Sequence, residues 1–556
     1  MHSTTTACNA FAPSHTVPGV LCHALFRLQD APVALAVVLL STILLYAYLH
    51  SKPSHVQREL AVLGTPRSGP LLGTVVICGG GVGGVLAAKA CSDHFERVIL
   101  VEPEFSKTLS GKPKTRVMQY NSAHAFLVIF AEGLRRLWPS FEQRAKDAGA
   151  LFLSGDYFFH FNGVYTAVPN QGYPDTLTIR RKTLEPLLHR LLVDDSPQCK
   201  DRLQVVEGMV RGIEGNADKT GVRGVYGKTN EGEEFRFDDV DLVIDCAGAT
   251  QNGLKWLEGA GFPVPERVAH NPNLRYMTVT FTVSEELGAL LPVPGGYEAA
   301  TWLYTFLADK QFGNTGFLLG KMDGRTLQLC TTSWGPCDLP KQAEDLELFL
   351  RTLHSPEPIP EWLFETVRLL AEGGSPHFSP AKIPGCSHVH YHEAKGLPNN
   401  YVALGDATMQ LNPIFGQGCS KAMVGVMILD SLLRDCTSGV ISPSFSREFF
   451  KGYAARMHGT WSSAKAMDYS YPTTQPAPGE SLGKGDFMLK AVNFIRVAGR
   501  VDGQIALKLW QTRQLLAPGS SILAPGFLLR VGWAHVRRAV GMVKDQPLTV
   551  QVCHKE

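Results

Sequence analysis

The apolar positions of this chain fall into two rhythms. "GTVVICGGGVGGVLAAKACSDHFERVILVEPE", from Gly73 to Glu104, runs an apolar stretch into a glycine cluster, then a small-residue helix, then a second apolar stretch. The pattern predicts a strand, a tight turn, a helix and a second buried strand. "LEPLLHRLLVD" has helical spacing, and "DDVDLVIDCAGA" reads as another buried strand ending on small residues. Between about 270 and 335, "LRYMTVTFTV", "TWLYTFLA", "TGFLLGKM" and "TLQLCTTSW" are rich in β-branched and aromatic residues with little helix between them, so they predict an antiparallel sheet. Helical periodicity returns in "AEDLELFLRTL" and "EWLFETVRLLAE", a further buried strand is expected at Tyr401–Leu404, and beyond Ile441 helices dominate, broken by "YPTTQPAPGESLGKG". No internal repeat is evident.

One apolar run stands apart. "APVALAVVLLSTILLYAYL", Ala31 to Leu49, carries no charge and is long enough to cross a bilayer as a helix. The roughly thirty residues before it and the lack of a small-x-small cleavage site after it favour an anchor over a secretory signal. Lys52, Arg58 and Arg67 follow the run and only Arg27 precedes it, which places the C-terminal body in the cytosol. The expected localisation is therefore a single-pass membrane protein of the endoplasmic reticulum with its body facing the cytosol.

The resulting division is a polar tail at 1–30, a transmembrane helix at 31–49 and a Ser/Pro/Gly-rich linker at 50–72. The body follows, as a nucleotide-binding part at 73–265, a sheet domain at 266–385, a return to the first domain at 386–440 and a helical region at 441–556. With 556 residues and 44% hydrophobic content the chain can bury a large core. A net charge of +2 gives no reason to expect nucleic acid, and small molecules become the default ligands. Twelve cysteines without a CxxC pair fit a reducing compartment.

Gly79, Gly81 and Gly84 form a GxGxxG turn between strand and helix. The first permits the tight turn, the second lets a pyrophosphate reach the backbone, and the third lets the helix pack on the strand. Glu102 closes the second strand about twenty residues on, where a carboxylate can accept both ribose hydroxyls of an adenosine. A late acid, Asp406, sits at the end of the strand "YVAL", followed by "NPIFGQG". A ligand extending far beyond the first βαβ unit would explain it, with Asp406 on a ribityl hydroxyl and Pro413, Gly416 and Gly418 shaping a turn beside a flavin ring.

Together "VVICGGGVGGVLAA", "DLVIDCAGAT" and "YVALGDATMQLNPIFGQGCSKA" resemble the three signatures of FAD-dependent monooxygenases of the aromatic-hydroxylase and squalene-epoxidase-like superfamily, from about Gly73 to beyond Val531. The resemblance implies an α/β fold: an FAD-binding Rossmann-like domain of glutathione-reductase type with an inserted antiparallel-sheet substrate domain, C-terminal helices and, here, the N-terminal transmembrane helix. It carries the adenosine ribose onto Glu102, the ribityl chain onto Asp406, and an arginine at a helix start near the cofactor onto Arg181. It places adenine against the backbone of Val210, and Arg116 and Gln119 in the segment passing the isoalloxazine.

The implied activity inserts one atom of O₂ into a lipophilic terpenoid, polyketide or prenylated phenol through a flavin C4a-hydroperoxide, as in secondary metabolism. The alternative is an FAD-dependent reductase or dehydrogenase of a polyprenyl-type substrate. Two positions depart from the pattern. Thr408 and Met409 follow Gly-Asp-Ala where His is frequent, and Asp245-Cys246-Ala247-Gly248 replaces an Asp-Gly linked to NADPH. Electrons can then come from NAD(P)H directly or through a separate reductase.

No catalytic side chain is expected. Ser420 lacks the Gly-x-Ser-x-Gly elbow. His388, His390 and His392 alternate and would share one strand face, but no Cys or acid cluster at ligand spacing completes a metal site, so they read as a polar sheet face or pocket lining. The aromatic strands bearing Trp302, Tyr304, Phe306 and Phe317 are expected to form the wall of the substrate cavity. "ILAPGFLLRVGWAHVRRAV" pairs apolar residues with Arg530, Arg537 and Arg538, either to lie on a membrane or to pack against the body.

Overall fold

Five parallel strands meet in the order Tyr401–Ala403, Leu242–Asp245, Leu72–Cys78, Phe95–Val101, Leu203–Val206. Val75–Cys78, Val98–Val101, Leu242–Asp245 and Tyr401–Ala403 are buried at every position, as expected of a sheet covered on both faces, whereas the edge strand Leu203–Val206 is partly exposed. The register brings Cys78 beside Asp245 and Asp245 beside Ala403, so the turns after three neighbouring strands open at one edge. The computed structural model describes residues 54–115, 119–153, 158–162, 164–166, 174–300, 302–383 and 385–544. Residues 59–556 form one compact unit; of the other, residues 1–58, the described part is Ser54–Arg58, helical from His55. The predicted membrane segment Ala31–Leu49 lies outside the described residues, among which no helix is long and apolar enough to cross a membrane.

The second large sheet has seven strands, in the order His377–Lys382, Leu274–Thr282, Thr326–Trp334, Thr315–Lys321, Trp302–Leu307, Phe158–Phe161, Val164–Thr166. All its pairs are antiparallel except Trp302–Leu307 with Phe158–Phe161. Two of these strands come from 158–166, inside the stretch that the sequence assigns to the nucleotide-binding part. One face packs on the helices Asp345–Arg351 and Glu361–Gly373 through Val279, Phe306, Phe317, Leu329, Leu350 and Leu363. The other carries Phe159, Phe161, Tyr276, Leu307 and Cys330.

Tyr304, Phe306 and Phe317 therefore belong to the helix-covered core, not to a cavity wall. Because successive side chains point to opposite faces, the neighbours of these aromatics look the other way. The linker also departs from a plain tether. Arg67 donates to the carbonyls of Leu433 (2.6 Å) and Cys436 (2.5 Å), and Glu59 pairs with Arg456 on the long helix Phe445–Ser470.

Candidate functional site

A glycine turn ends the first parallel strand, and the helix Val82–Ser92 starts at Gly81. A Cβ at Gly84 would lie 1.8 Å from the Gly79 carbonyl oxygen, so only glycine permits this strand and helix to meet. Gly79 has φ +117°, a value that favours glycine. At Gly81, by contrast, a Cβ would meet nothing within 4 Å, because the position faces an open cleft.

Three helices begin at that cleft: Val82–Ser92 with Gly81 and Gly83, Arg181–Asp194 with Arg181, and Gly418–Asp435 with Gly418, Cys419 and Lys421. Their free backbone N–H groups and positive ends suit an anion. Arg181 pairs with Glu185; burial opposes its charge, but Glu185, Cys419 and Asp406 hold its pKa above the ordinary value. Lys421, almost wholly buried, pairs with the half-exposed Asp406 carboxylate, which also lines the cleft from its 3₁₀ turn Gly405–Ala407. The cleft thus holds two cations and one acid that can accept hydroxyls.

Further along lie Gln119, Pro413, Ile414 and Gly416. Asn412 accepts from the Ile414 N–H at 3.1 Å and starts the turn Pro413–Phe415, which Gly416 closes at φ +65°. The facing wall consists of Ala123, Tyr276, Leu318, Cys330 and Ile383. Tyr276, Leu318 and Cys330 come from the side of the antiparallel sheet opposite its aromatic core, Ile383 directly follows the edge strand His377–Lys382, and Ala123 lies in a loop.

His124 also lines the cleft. Burial, helped by the charge of Arg181, lowers its pKa to about 4. Its Nδ1 lies 2.8 Å from the Ser122 carbonyl, so Nδ1–H donates and Nε2 is left as an acceptor. Burial raises the Tyr276 hydroxyl to about 12, which keeps it a neutral hydrogen-bond donor.

Of the residues singled out from sequence, Gly81, Gln119, Arg181, Asp406, Pro413, Gly416 and Gly418 converge on this cleft. Gly79 and Gly84 shape the turn behind it. Glu102 stands outside the lining: its carboxylate accepts from the N–H groups of Gly80 (2.7 Å) and Glu104 (3.1 Å), with Lys114 Nζ 3.8 Å away. Val210 sits on Gly208–Gly215 in a separate three-stranded antiparallel sheet, paired with Gly227 beside a register shift. Arg116 lies outside the described residues.

Asp245 does not face the cleft chemistry. It accepts from Ala247 N–H at 2.8 Å and Tyr401 hydroxyl at 3.0 Å, and burial raises its pKa to about 6. Only His388 of the alternating histidines is on a strand, Cys386–Val389. The next two lie beyond it, and the chain folds back so that the three rings cluster with centroids 4.8–5.9 Å apart. Lys421, His124 and Tyr276 were not read from sequence. A basic residue in the first turn of the late helix was the one available signal, for Lys421.

The open glycine positions, the three helix ends, the two cations and Asp406 fit a dinucleotide such as FAD, whose diphosphate carries the charge they would balance. No family model matches the chain. It is 24% identical over 440 residues, 72% of this chain and 82% of the relative, to Protein Rv3254 of Mycobacterium tuberculosis. Its fold is similar to that of the flavin-dependent brominase Bmp2, at 14% identity with a TM-score of 0.54 over 84% of this chain and 99% of that one. It is also similar to pqsL, a probable FAD-dependent monooxygenase from Pseudomonas aeruginosa, at 15% identity with a TM-score of 0.50 over 72% and 95% of the two chains. The chain shares the fold of these flavin-dependent proteins.

Proposed function

We propose that the protein is an FAD-dependent monooxygenase that inserts one oxygen atom from O₂ into a lipophilic small molecule of terpenoid, polyketide or prenylated-phenol type. One observation carries the reading: the glycine turn, Arg181 and Asp406 line the same cleft as the apolar face of the antiparallel sheet. A polar half suited to a dinucleotide thus adjoins an apolar half suited to a lipophilic ring or chain.

FAD, when bound, supplies the oxygen-activating chemistry. The chain's own residues bind and orient. Arg181, Lys421 and the helix starts would balance the diphosphate, Asp406 would accept a ribityl hydroxyl, and the Pro413–Gly416 turn would hold the ring end. Leu318, Cys330 and Ile383 would exclude water around the substrate. Neutral His124 can accept a proton at Nε2, and the Tyr276 hydroxyl can donate to a substrate oxygen. Glu102 in this reading exchanges its backbone bonds for the adenosine ribose, with adenine near Val210 and Arg116 beside the ring.

NAD(P)H is the proposed source of electrons, directly or through a reductase, and the apolar run Ala31–Leu49 is the proposed anchor in the endoplasmic reticulum. The deciding experiment supplies ¹⁸O₂ and a reductant to the FAD-loaded protein with extracts of a host that expresses it. Product carrying one ¹⁸O is expected; the same product formed under anaerobic conditions would overturn oxygenation in favour of dehydrogenation.

A further inference from the structure

The last three helices leave much of their apolar surface uncovered. Ten of the seventeen exposed large apolar side chains among the described residues fall between Leu482 and Met542. Scattered single exposures are ordinary, whereas a contiguous group marks a contact surface.

The terminal helix Pro525–Ala539 packs on its neighbours through Val531 and Ala534, against Ile495, Ala498 and Ile505. Its opposite side carries Leu529, Trp533 and Val536, with Val540 just past its end. They are spaced four, three and four residues apart, so they form one stripe. Leu529 is 76% exposed and Trp533 55%. On the helix Asp486–Gly499, Phe487 (86% exposed) and Phe494 share a face with Lys490. His535 joins the two helices: its ring stacks on Phe494 at 3.7 Å, and its Nε2 lies 3.0 Å from the Phe494 carbonyl oxygen.

Charge indicates what covers the patch. Residues 481–544 hold ten Lys and Arg against two acids, a net +8 within a chain of net +2. Arg530 and Arg537, beside the stripe, are held by Asp502 at 2.9 and 3.3 Å, while Lys484 and Lys490 are exposed. A Trp-bearing apolar stripe in a basic setting matches the interface of a bilayer with anionic headgroups, where the rings enter the acyl boundary and the cations remain among phosphates. A nucleic acid would not account for the exposed leucines.

We propose that this face, centred on Leu529, Trp533 and Phe487, docks the body in the plane of an anionic phospholipid bilayer. The contact uses residues outside the flavin cleft and does not rest on the oxygenase reading or on the segment Ala31–Leu49.

The test uses the full-length chain with vesicles of phosphatidylcholine, alone or mixed with phosphatidylserine, that contain a diazirine-bearing phospholipid; labelled peptides are mapped by mass spectrometry after irradiation. Label is expected within 486–499 and 519–542, increasing severalfold with phosphatidylserine and falling in high salt. The double substitution Leu529→Glu/Trp533→Glu should cut it about tenfold, since each removes an apolar side chain from the acyl boundary. Phe487→Glu, on a different helix, should lower it with no change in thermal unfolding. Label confined to 31–49 or to any other segment, or label unchanged in the substituted chains, would overturn the proposal. Equal label on phosphatidylcholine alone would overturn its anionic preference. A lipid-free dimer that the double substitution converts to monomer, with these segments unlabelled, would assign the face to a second copy of the chain.

Discussion

Gly81 and Gly84 lie one helical turn apart and answer to different constraints. A Cβ on Gly81 enters open space in a backbone conformation open to any residue (φ −70°, ψ −173°), so Gly81→Val should fold with the thermal stability of the flavin-stripped wild-type chain and purify without yellow chromophore. Gly84→Ala drives its methyl into the Gly79 carbonyl and should destabilise the fold itself. Absorbance near the flavin bands together with a melting curve separates the two, and a yellow Gly81→Val would refute the cofactor placement. His189 gives a pH prediction. It is 1% exposed, its ring lies tilted against Phe105 with centroids 4.7 Å apart, and its Nε2 lies 3.1 Å from the Gly80 carbonyl oxygen; burial and the charge of Lys114 lower its pKa from 6.5 to about 4. Below 6.5 the unfolded chain takes up a proton that the folded one refuses until about pH 4, so acid favours unfolding across that window. The contribution is fully present above pH 6.5 and falls by about 2 kcal/mol by about pH 5. His189→Gln, which cannot titrate there, should flatten the loss of stability in denaturant titrations at the two pH values; an unchanged slope would sink the assignment.

Between elements, Asp468 near the end of the long helix ties four segments together. Its carboxylate accepts from Trp334 Nε1 (2.9 Å) and Asn412 Nδ2 (2.6 Å) at one oxygen and lies 2.9 Å from His270 Nε2 at the other. Facing the carboxylate, all three N–H groups donate; in Asp468→Asn the amide oxygen can keep Trp334 and Asn412, but the N–H₂ then faces His270 Nε2 and drives that ring into its other tautomer, which should cost about 1 kcal/mol. Asn412 carries the network onward, because the same side chain holds the turn beside the cleft. Asn412→Ala should leave the fold nearly intact and raise the Kd for FAD; unchanged affinity in a flavin titration would show that the turn needs no such support. The sequence could not announce this network, since Asn412 and Asp468 are 56 residues apart and only Asn412 lies in a recognisable motif. The strands of the large sheet were legible from their apolar runs between 274 and 334. Their facing was not, because Thr326–Trp334 is buried at every position and shows no alternation to tell core from cavity. Phe158–Phe161 escaped notice for another reason: it is four residues long and reaches the sheet by pairing parallel to a distant strand.

At the scale of the molecule, the cleft is where independently built layers meet. The glycine turn and Asp406 come from the parallel sheet, Leu318 and Cys330 from the antiparallel sheet, Gly418 and Lys421 from the late helix. Residues from 81 to 422 therefore share one surface, and the local motifs revealed the polar half while the apolar half required the fold. A ligand touching all three layers should be linked to the stability of the whole unit rather than of one layer. For a single site, FAD at about a hundred times its Kd adds about 2.7 kcal/mol to unfolding. Removing FAD should accordingly lower the melting temperature, and titrating it back should restore a single cooperative transition seen alike by tryptophan fluorescence and by circular dichroism. If instead FAD shifts only part of the unfolding signal, the antiparallel sheet is not held by the cofactor, and the apolar wall must be set by packing against the helices Asp345–Arg351 and Glu361–Gly373 alone.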